Sequence, residues 1–204
     1  MFCRKIIAII CFSSMIYPVF GQLLSKDSLD KLPIYTSLDA ALQDASNVYR
    51  LHIKWTRMDS LPLTLFTLTN LQELSITNCK LLILNQDISR LENLQYITLY
   101  KNRLVRLPDE ICNLKHLRYL DVNRNLLNEL PQEIGHLHNL TEINAWGNYF
   151  FTLPESITNL KDTLKKIDLR QIQFRREEIE FIEKQLPKTN ILYTNICDCK
   201  NSRK

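Results

Sequence analysis

Residues 94–116 read LQYITLYKNRLVRLPDEICNLKH, and residues 117–139 read LRYLDVNRNLLNELPQEIGHLHN. Both stretches follow the pattern LxxLxLxxNxLxxLPxxIxxL, with Ile or Val at some of the Leu positions, and they repeat at a period of 23 residues. Units with this pattern begin at Val48, Leu71, Leu94, Leu117, Leu140 and Leu164. A fixed period of this length predicts a solenoid, in which each unit buries its apolar side chains against the next one.

Each position in the pattern has a physical role. The LxL triplet alternates between two faces, so it predicts a short strand with one face buried. The Asn that follows can bond backbone groups that the turn leaves unpaired, and Asn102, Asn125 and Asn148 are predicted to form a ladder along the stack. Cys79 takes this position in the second unit. Thr56 and Ile172 take it in the first and last units, so the ladder is expected to end there.

Over residues 48–174 the chain resembles the leucine-rich repeat family, in its 23-residue LPxxIxxL class. The resemblance implies an α/β fold: a curved horseshoe segment with a parallel β-sheet on its concave face and short helical or 3₁₀ segments on its convex face. Proline opens most convex segments, because its fixed φ suits the first turn of a helix. These prolines are Pro62, Pro108, Pro131 and Pro154, and Asn85 replaces proline in the second unit.

Helical caps are predicted at both ends of the repeats. Residues 22–47 are interpreted as an N-terminal tail, loose over 22–33, and a cap helix over 36–43 that Thr36 and Asp39 begin as a capping box. Residues 175–196 are interpreted as a cap helix over 177–185, which Pro187 ends, and an edge strand over 190–193. Residues 197–204 are expected to form a tail.

Residues 1–21 have the layout of a secretory signal peptide, with Arg4 and Lys5 followed by an apolar run and a cut after Gly21. An uncleaved signal anchor and a chance apolar start are the alternatives. After cleavage we expect no membrane span and a secreted or cell-envelope location. Eukaryotic extracellular members of the family usually carry cysteine-rich caps, so the lack of an N-terminal cysteine cap favours a bacterial protein.

The composition excludes several classes of function. The chain of 204 residues contains 35 Leu and 17 Asn but only 3 Gly, which are too few and too scattered for a glycine-rich phosphate-binding loop. The net charge is +4, and it falls to +2 without Arg4 and Lys5. This balance argues against a nucleic-acid-binding protein, which carries a concentrated basic surface. No cofactor is expected.

Catalysis and metal binding find little support in the sequence. Asp121 and Asp168 lie two strands apart, about 10 Å by strand spacing, but an open sheet offers no deep pocket that excludes water. Cys197 and Cys199 form a CxC pair rather than the C-x₂₋₄-C spacing of zinc sites. They could form a disulfide with another chain, whereas a bond between Cys79 and Cys112 is not expected.

The concave face is the predicted binding site, because its outward side chains are free of core packing. Aromatic and Arg side chains, which dominate protein interfaces, cluster there. The predicted partner-binding residues are Tyr96, Tyr100, Tyr119, Asp121, Arg124, Trp146 and Arg170. We therefore expect a non-catalytic module that binds a protein partner. The alternatives are plain sheet surface, a structural spacer of the envelope linked through Cys197 or Cys199, and a carbohydrate-binding face that uses Tyr100 and Trp146.

Overall fold

Seven parallel strands in sequence order form one sheet, as the repeat pattern predicts. A computed structural model describes residues 22–194. The predicted signal peptide and the CxC pair lie outside these residues. The strands are β1 (Arg50–Lys54), β2 (Glu73–Thr77), β3 (Tyr96–Thr98), β4 (Tyr119–Asp121), β5 (Glu142–Asn144), β6 (Lys166–Asp168) and β7 (Asn190–Leu192). The architecture is a leucine-rich repeat solenoid.

The strand register follows the repeat period. Glu73 pairs with Tyr96 and Tyr96 with Tyr119, each 23 residues apart, while Glu142 pairs with Lys166 after 24 residues because the fifth unit is one residue longer. In the three-residue strands β3 to β6 the middle residue faces the core and is fully buried, as in Ile97 and Leu120. The side chains on either side of it therefore point to the solvent side of the sheet, which is the predicted concave face.

Short 3₁₀ helices form the opposite side of the solenoid. They span Leu63–Thr67, Gln86–Arg90, Asp109–Asn113, Ile134–His136 and Glu155–Leu160. Pro62, Pro108 and Pro154 immediately precede them, as predicted, and Asn85 takes the same place in the second unit. Pro131 departs from the prediction, because its segment becomes helical only at Ile134.

Gly135 lies where two of these segments pack most closely. A Cβ atom at this position would lie 2.0 Å from the backbone oxygen of Ser156 in the next unit. The Gly135 N–H also donates to the Ser156 hydroxyl at 3.2 Å. Only glycine permits this approach of two backbones.

The asparagine ladder is present and joins each unit to the one before it. The Asn102 amide donates to the Ile76 oxygen at 2.7 Å, and its side-chain oxygen accepts from the Cys79 N–H at 3.0 Å. The Asn102 oxygen also accepts from the Leu81 N–H at 3.2 Å. Asn125 and Asn148 repeat this bond and the amide donation one and two units further along. All three side chains are almost fully buried, so the ladder pairs backbone groups that have no access to water.

A second set of asparagines makes similar bonds that the sequence pattern did not predict. The side chains of Asn70, Asn93 and Asn139, at the last position of their units, donate to backbone oxygens 24 residues earlier at 2.8–2.9 Å. Part of the asparagine excess of the chain therefore links successive units.

The N-terminal segment differs from its prediction. Residues 22–33 were expected to be loose, but they contain helix α1 (Lys26–Leu29), and the Leu29 side chain is fully buried. Helix α2 (Leu38–Gln43) begins one residue later than a Thr36 cap requires. Its capping residue is Ser37, whose hydroxyl accepts from the Ala40 N–H.

The C-terminal cap matches its prediction closely. Helix α3 (Arg176–Gln185) begins one residue earlier than expected and buries Ile179 and Ile182 against the last unit. The edge strand then pairs with β6. Within residues 22–194, no helix has both the length and the apolar character needed to cross a membrane.

Candidate partner-binding site

The solvent side of the sheet divides into two regions along the strand direction. The amino-edge columns contain Arg50, Glu73, Tyr96, Tyr119, Glu142 and Lys166, and beside them His52, Ser75, Thr98, Asp121, Asn144 and Asp168. The carboxyl-edge band consists of the seventh, eighth and tenth residues of every unit, where the chain leaves the strand. In the third unit these residues are Tyr100, Lys101 and Arg103.

Residues 22–32, which we call the N-terminal strap, cover part of the amino-edge columns. The buried amide of Gln95 donates to the Leu24 oxygen at 2.9 Å, and Gln72 accepts from the Leu24 N–H at 2.9 Å. The Lys26 ammonium lies 4.7 Å from the centre of the Tyr96 ring. Tyr96, a predicted partner-binding residue, is therefore already in contact with the chain's own N-terminal segment.

Glu73 is the centre of a charge network beneath the strap. Its carboxylate lies 3.0 Å from Arg50, 3.0 Å from Lys26 and 2.5 Å from His52. Burial by itself raises the pKa of Glu73. Hydrogen bonds from His52, Arg50 and Lys26 outweigh this effect and lower the pKa to about 2. Because Asp30 also contacts Arg50, the charges of this region are largely paired within the chain.

Tyr119 and Asp121 form part of the sheet surface rather than projecting from it. Burial, with the nearby carboxylates of Asp121 and Glu142, raises the pKa of Tyr119 to about 12. Asp121 is only 8% exposed and accepts from the side chain of Asn123 at 2.7 Å. Burial also raises the pKa of Asp121, although its hydrogen bonds oppose that shift.

Arg170 is held by its neighbour along the strand. Its guanidinium makes three hydrogen bonds to Asp168, at 2.7, 3.0 and 3.2 Å, while the Asp168 side chain is 7% exposed. Asp121 and Asp168 are thus both engaged by neighbouring side chains, and Asn144 lies between them in the same column.

Tyr100, Arg124 and Trp146 lie on three successive units of the carboxyl-edge band. The Arg124 guanidinium lies 4.4 Å from the centre of the Trp146 ring, in a cation–π contact. Tyr100 and Trp146 are half-buried, and Arg124 is exposed. These three predicted residues therefore supply aromatic and cationic groups on successive units, and solvent can reach them.

Trp55 and Lys101 extend this surface, although we did not predict them as binding residues. Trp55 is 76% exposed, and the Lys101 ammonium lies 5.9 Å from its ring centre. Both belong to the eighth position of the repeat, where all six units have a positive φ. These residues are Trp55, Asn78, Lys101, Arg124, Gly147 and Gln171. Asn and Gly tolerate that conformation best. Asn78 and Gly147 were therefore the residues from which the positive φ at this position could have been predicted.

The other surface features lie away from the band. A cavity of about 260 Å³ lies under Lys26, between His52, Tyr96 and Tyr119. A groove of about 670 Å³ lies among the loops of units two to four and includes Ile83.

No group of three or more potential metal ligands occurs within residues 22–194, where Cys79 and Cys112 are both free and buried.

The leucine-rich repeat family pattern matches residues 92–150. No curated protein sequence matches the chain. Among solved structures, a leucine-rich repeat protein of Leptospira interrogans is 28% identical with a TM-score of 0.56, over 80% of this chain and 54% of that one. The leucine-rich repeat domain of the type III effector XopL is 27% identical with a TM-score of 0.60, over 75% and 54%.

A plant peptide hormone receptor, RGFR1, is 24% identical with a TM-score of 0.59, over 78% of this chain and 26% of the receptor, and it shares the fold alone. This chain spans about half of the length of the Leptospira protein and of the XopL domain. The match over residues 92–150, the Leptospira protein and the XopL domain together support a leucine-rich repeat fold for this chain.

Proposed function

We propose that this protein is a secreted or envelope-exposed, non-catalytic module that binds a protein partner on its concave face. The observation that carries the proposal is the surface formed by Tyr100, Arg124 and Trp146, which the solenoid presents to solvent with the Arg already stacked on the indole. Tyr and Trp bury large areas with few rotatable bonds, and Arg forms planar hydrogen bonds, so the three suit an interface.

The remaining predicted residues fit the same face in a different role. Tyr96, Tyr119 and Asp121 are held by neighbouring side chains on the amino-edge columns and would stabilise the sheet beside the interface, whereas Arg170 would lie at its last unit. The structure of RGFR1 is of a complex with RGF2, so ligand binding is compatible with this fold. A bacterial origin and export through residues 1–21 remain part of the proposal.

A protein partner is favoured over a carbohydrate because of the Trp146 environment. Sugar binding by stacking needs an open aromatic face, and Arg124 covers one face of this indole. Cationic and aromatic groups in contact are better suited to the carboxylates and apolar side chains of a protein.

Affinity capture from a native extract tests the proposal. The wild type is compared with the double variant Tyr100→Ala, Trp146→Ala and with a matched control, Phe151→Ala, Phe181→Ala. The control removes two aromatic side chains that are 75% and 48% exposed and lie outside the carboxyl-edge band. We expect a specific partner that the first variant loses and the control retains. If both variants recover the same partners as the wild type, the concave-face proposal is wrong.

A further inference from the structure

The charges of the carboxyl-edge band are all of one sign. The band contains seven basic residues and no acidic residue across six units: Lys54, Arg57, Lys80, Lys101, Arg103, Arg124 and Arg170. All seven are exposed. By contrast, residues 22–194 as a whole contain 21 basic and 21 acidic residues. The band is therefore a local concentration of positive charge on an otherwise neutral body.

Six of these seven cations have no carboxylate partner within residues 22–194. Only Arg170 forms a salt bridge, to Asp168. The other ion pairs described within residues 22–194 lie outside the band, and those on the amino-edge columns include the pairs of Glu73 and Lys26 and the pair of Glu142 with Lys166. Unpaired like charges held side by side repel one another, so an anionic ligand would relieve an unfavourable arrangement as well as add attraction.

Two of the cations are held in place by aromatic rings. Arg124 is stacked on Trp146 and Lys101 lies over Trp55. A guanidinium that stacks through its flat face still presents its N–H edge, and that edge matches a carboxylate with two parallel hydrogen bonds. The positive φ of Lys101 and Arg124 also fixes the direction in which their side chains leave the backbone.

We propose that the carboxyl-edge band binds an extended acidic peptide segment of the partner, and this inference rests on the proposed function. Six strands about 4.8 Å apart span about 24 Å, which an extended chain at about 3.3 Å per residue covers in seven or eight residues. Alternating acidic and aromatic or apolar side chains on that segment would contact the cations and the rings of Tyr100 and Trp146 in turn.

A peptide fits better than a single-stranded nucleic acid. Nucleic acid grooves of this kind use aromatic rings as open platforms on which bases stack. Here a cation covers one face of both Trp55 and Trp146. A carboxylate can bind the edge of stacked Arg124 without displacing it, whereas a base would compete with the cation for the ring.

Fluorescence anisotropy tests the inference with two labelled octapeptides, one alternating Glu and Phe and one alternating Gln and Phe. We expect the wild type to bind the acidic peptide at least about tenfold more tightly, with an affinity that falls as NaCl is raised. The double variant Lys101→Glu, Arg124→Glu is expected to lose at least about tenfold in affinity. The control Lys115→Glu, Lys161→Glu makes the same change in net charge outside the band and is expected to bind like the wild type.

Three results would overturn the inference: equal affinity for the two peptides, equal losses in the two variants, or tight binding of oligo-dT or heparin by a protein that does not bind the acidic peptide. Circular dichroism of each variant confirms that it is folded. The same charge variants are also used in the affinity capture. If capture depends on Tyr100 and Trp146 but not on Lys101 and Arg124, the inference fails and the proposed function stands.

Discussion

Charged side chains are mostly paired on the amino edge of the sheet and mostly unpaired on its carboxyl edge. On the amino-edge columns, the N-terminal strap covers Tyr96 and brings Lys26 to Glu73, where Arg50 is already bound. On the carboxyl-edge band, all seven cations are exposed, Arg124 and Lys101 contact aromatic rings, and only Arg170 pairs with a carboxylate within residues 22–194. Every repeat unit contributes residues to both edges of the sheet. The difference arises because the N-terminal strap packs on the amino-edge columns.

This contrast separates side chains that hold the solenoid together from those that are available to a partner. Buried and paired charges on the amino edge are expected to affect stability. Exposed and unpaired charges on the carboxyl edge are expected to affect binding and to leave stability nearly unchanged. The predictions below test that division, beginning with the largest expected effect.

Replacing Glu73 removes the carboxylate from the network and leaves Arg50, whose side chain is 9% exposed, without its buried partner. We expect Glu73→Gln to lower the free energy of unfolding by about 3 kcal/mol, measured by urea denaturation. The control is Glu142→Gln in the same column, whose ion pair with Lys166 is more exposed. It should cost less than about 1 kcal/mol. Equal losses of stability in Glu73→Gln and Glu142→Gln would contradict the division between buried and exposed ion pairs.

Stability should also fall in acid because of the same carboxylate. The pKa of Glu73 in the folded protein is about 2, below its ordinary value of 4.5. Its contribution is therefore present above pH 4.5 and is lost as the pH falls towards 2, by about 3 kcal/mol in all. Urea denaturation between pH 5 and 2 should show a steeper loss for the wild type than for Glu73→Gln, and parallel curves would contradict the assignment.

Removing the Gln95 amide should loosen the strap without unfolding the repeats. Its side chain is 2% exposed and donates to Leu24 and Gln72. We expect Gln95→Ala to weaken strap docking by about 2 kcal/mol, or about 30-fold in the opening equilibrium. Hydrogen exchange over residues 22–32 measures this opening. The exposed Gln132→Ala is the control, and unchanged exchange in Gln95→Ala would mean that the amide does not hold the strap.

The smallest expected effect is on the backbone of the carboxyl-edge band. Lys101 has a φ of 56°, whereas Arg103 is not among the residues of positive φ. Glycine relieves the strain of a left-handed residue but adds flexibility to the unfolded chain. We expect Arg103→Gly to cost about 0.5–1 kcal/mol and Lys101→Gly to cost nothing measurable. Thermal denaturation compares the two, and an equal cost would argue against strain at Lys101.

Local pattern was sufficient to predict the sheet, the ladder of Asn102, Asn125 and Asn148 and the columns of the concave face. These features repeat every 23 residues, and each depends on residue type at a fixed offset. The strap could not be predicted in this way, because Gln72 and Gln95 bind it across 48 to 71 residues of sequence. The sequence likewise placed Tyr96 and Tyr100 on one face, but only the structure shows that Lys26 of the strap lies over the Tyr96 ring.

The central claim is that the carboxyl-edge band, rather than the amino-edge columns, is the surface that meets the partner. Hydrogen exchange of the protein alone and with its captured partner tests it most directly. We predict new protection around residues 100–101, 123–124 and 146–147 and unchanged exchange in residues 22–32. Loss of protection in the strap together with new protection around Glu73 would show that the partner displaces the strap and binds the amino edge, which contradicts the claim.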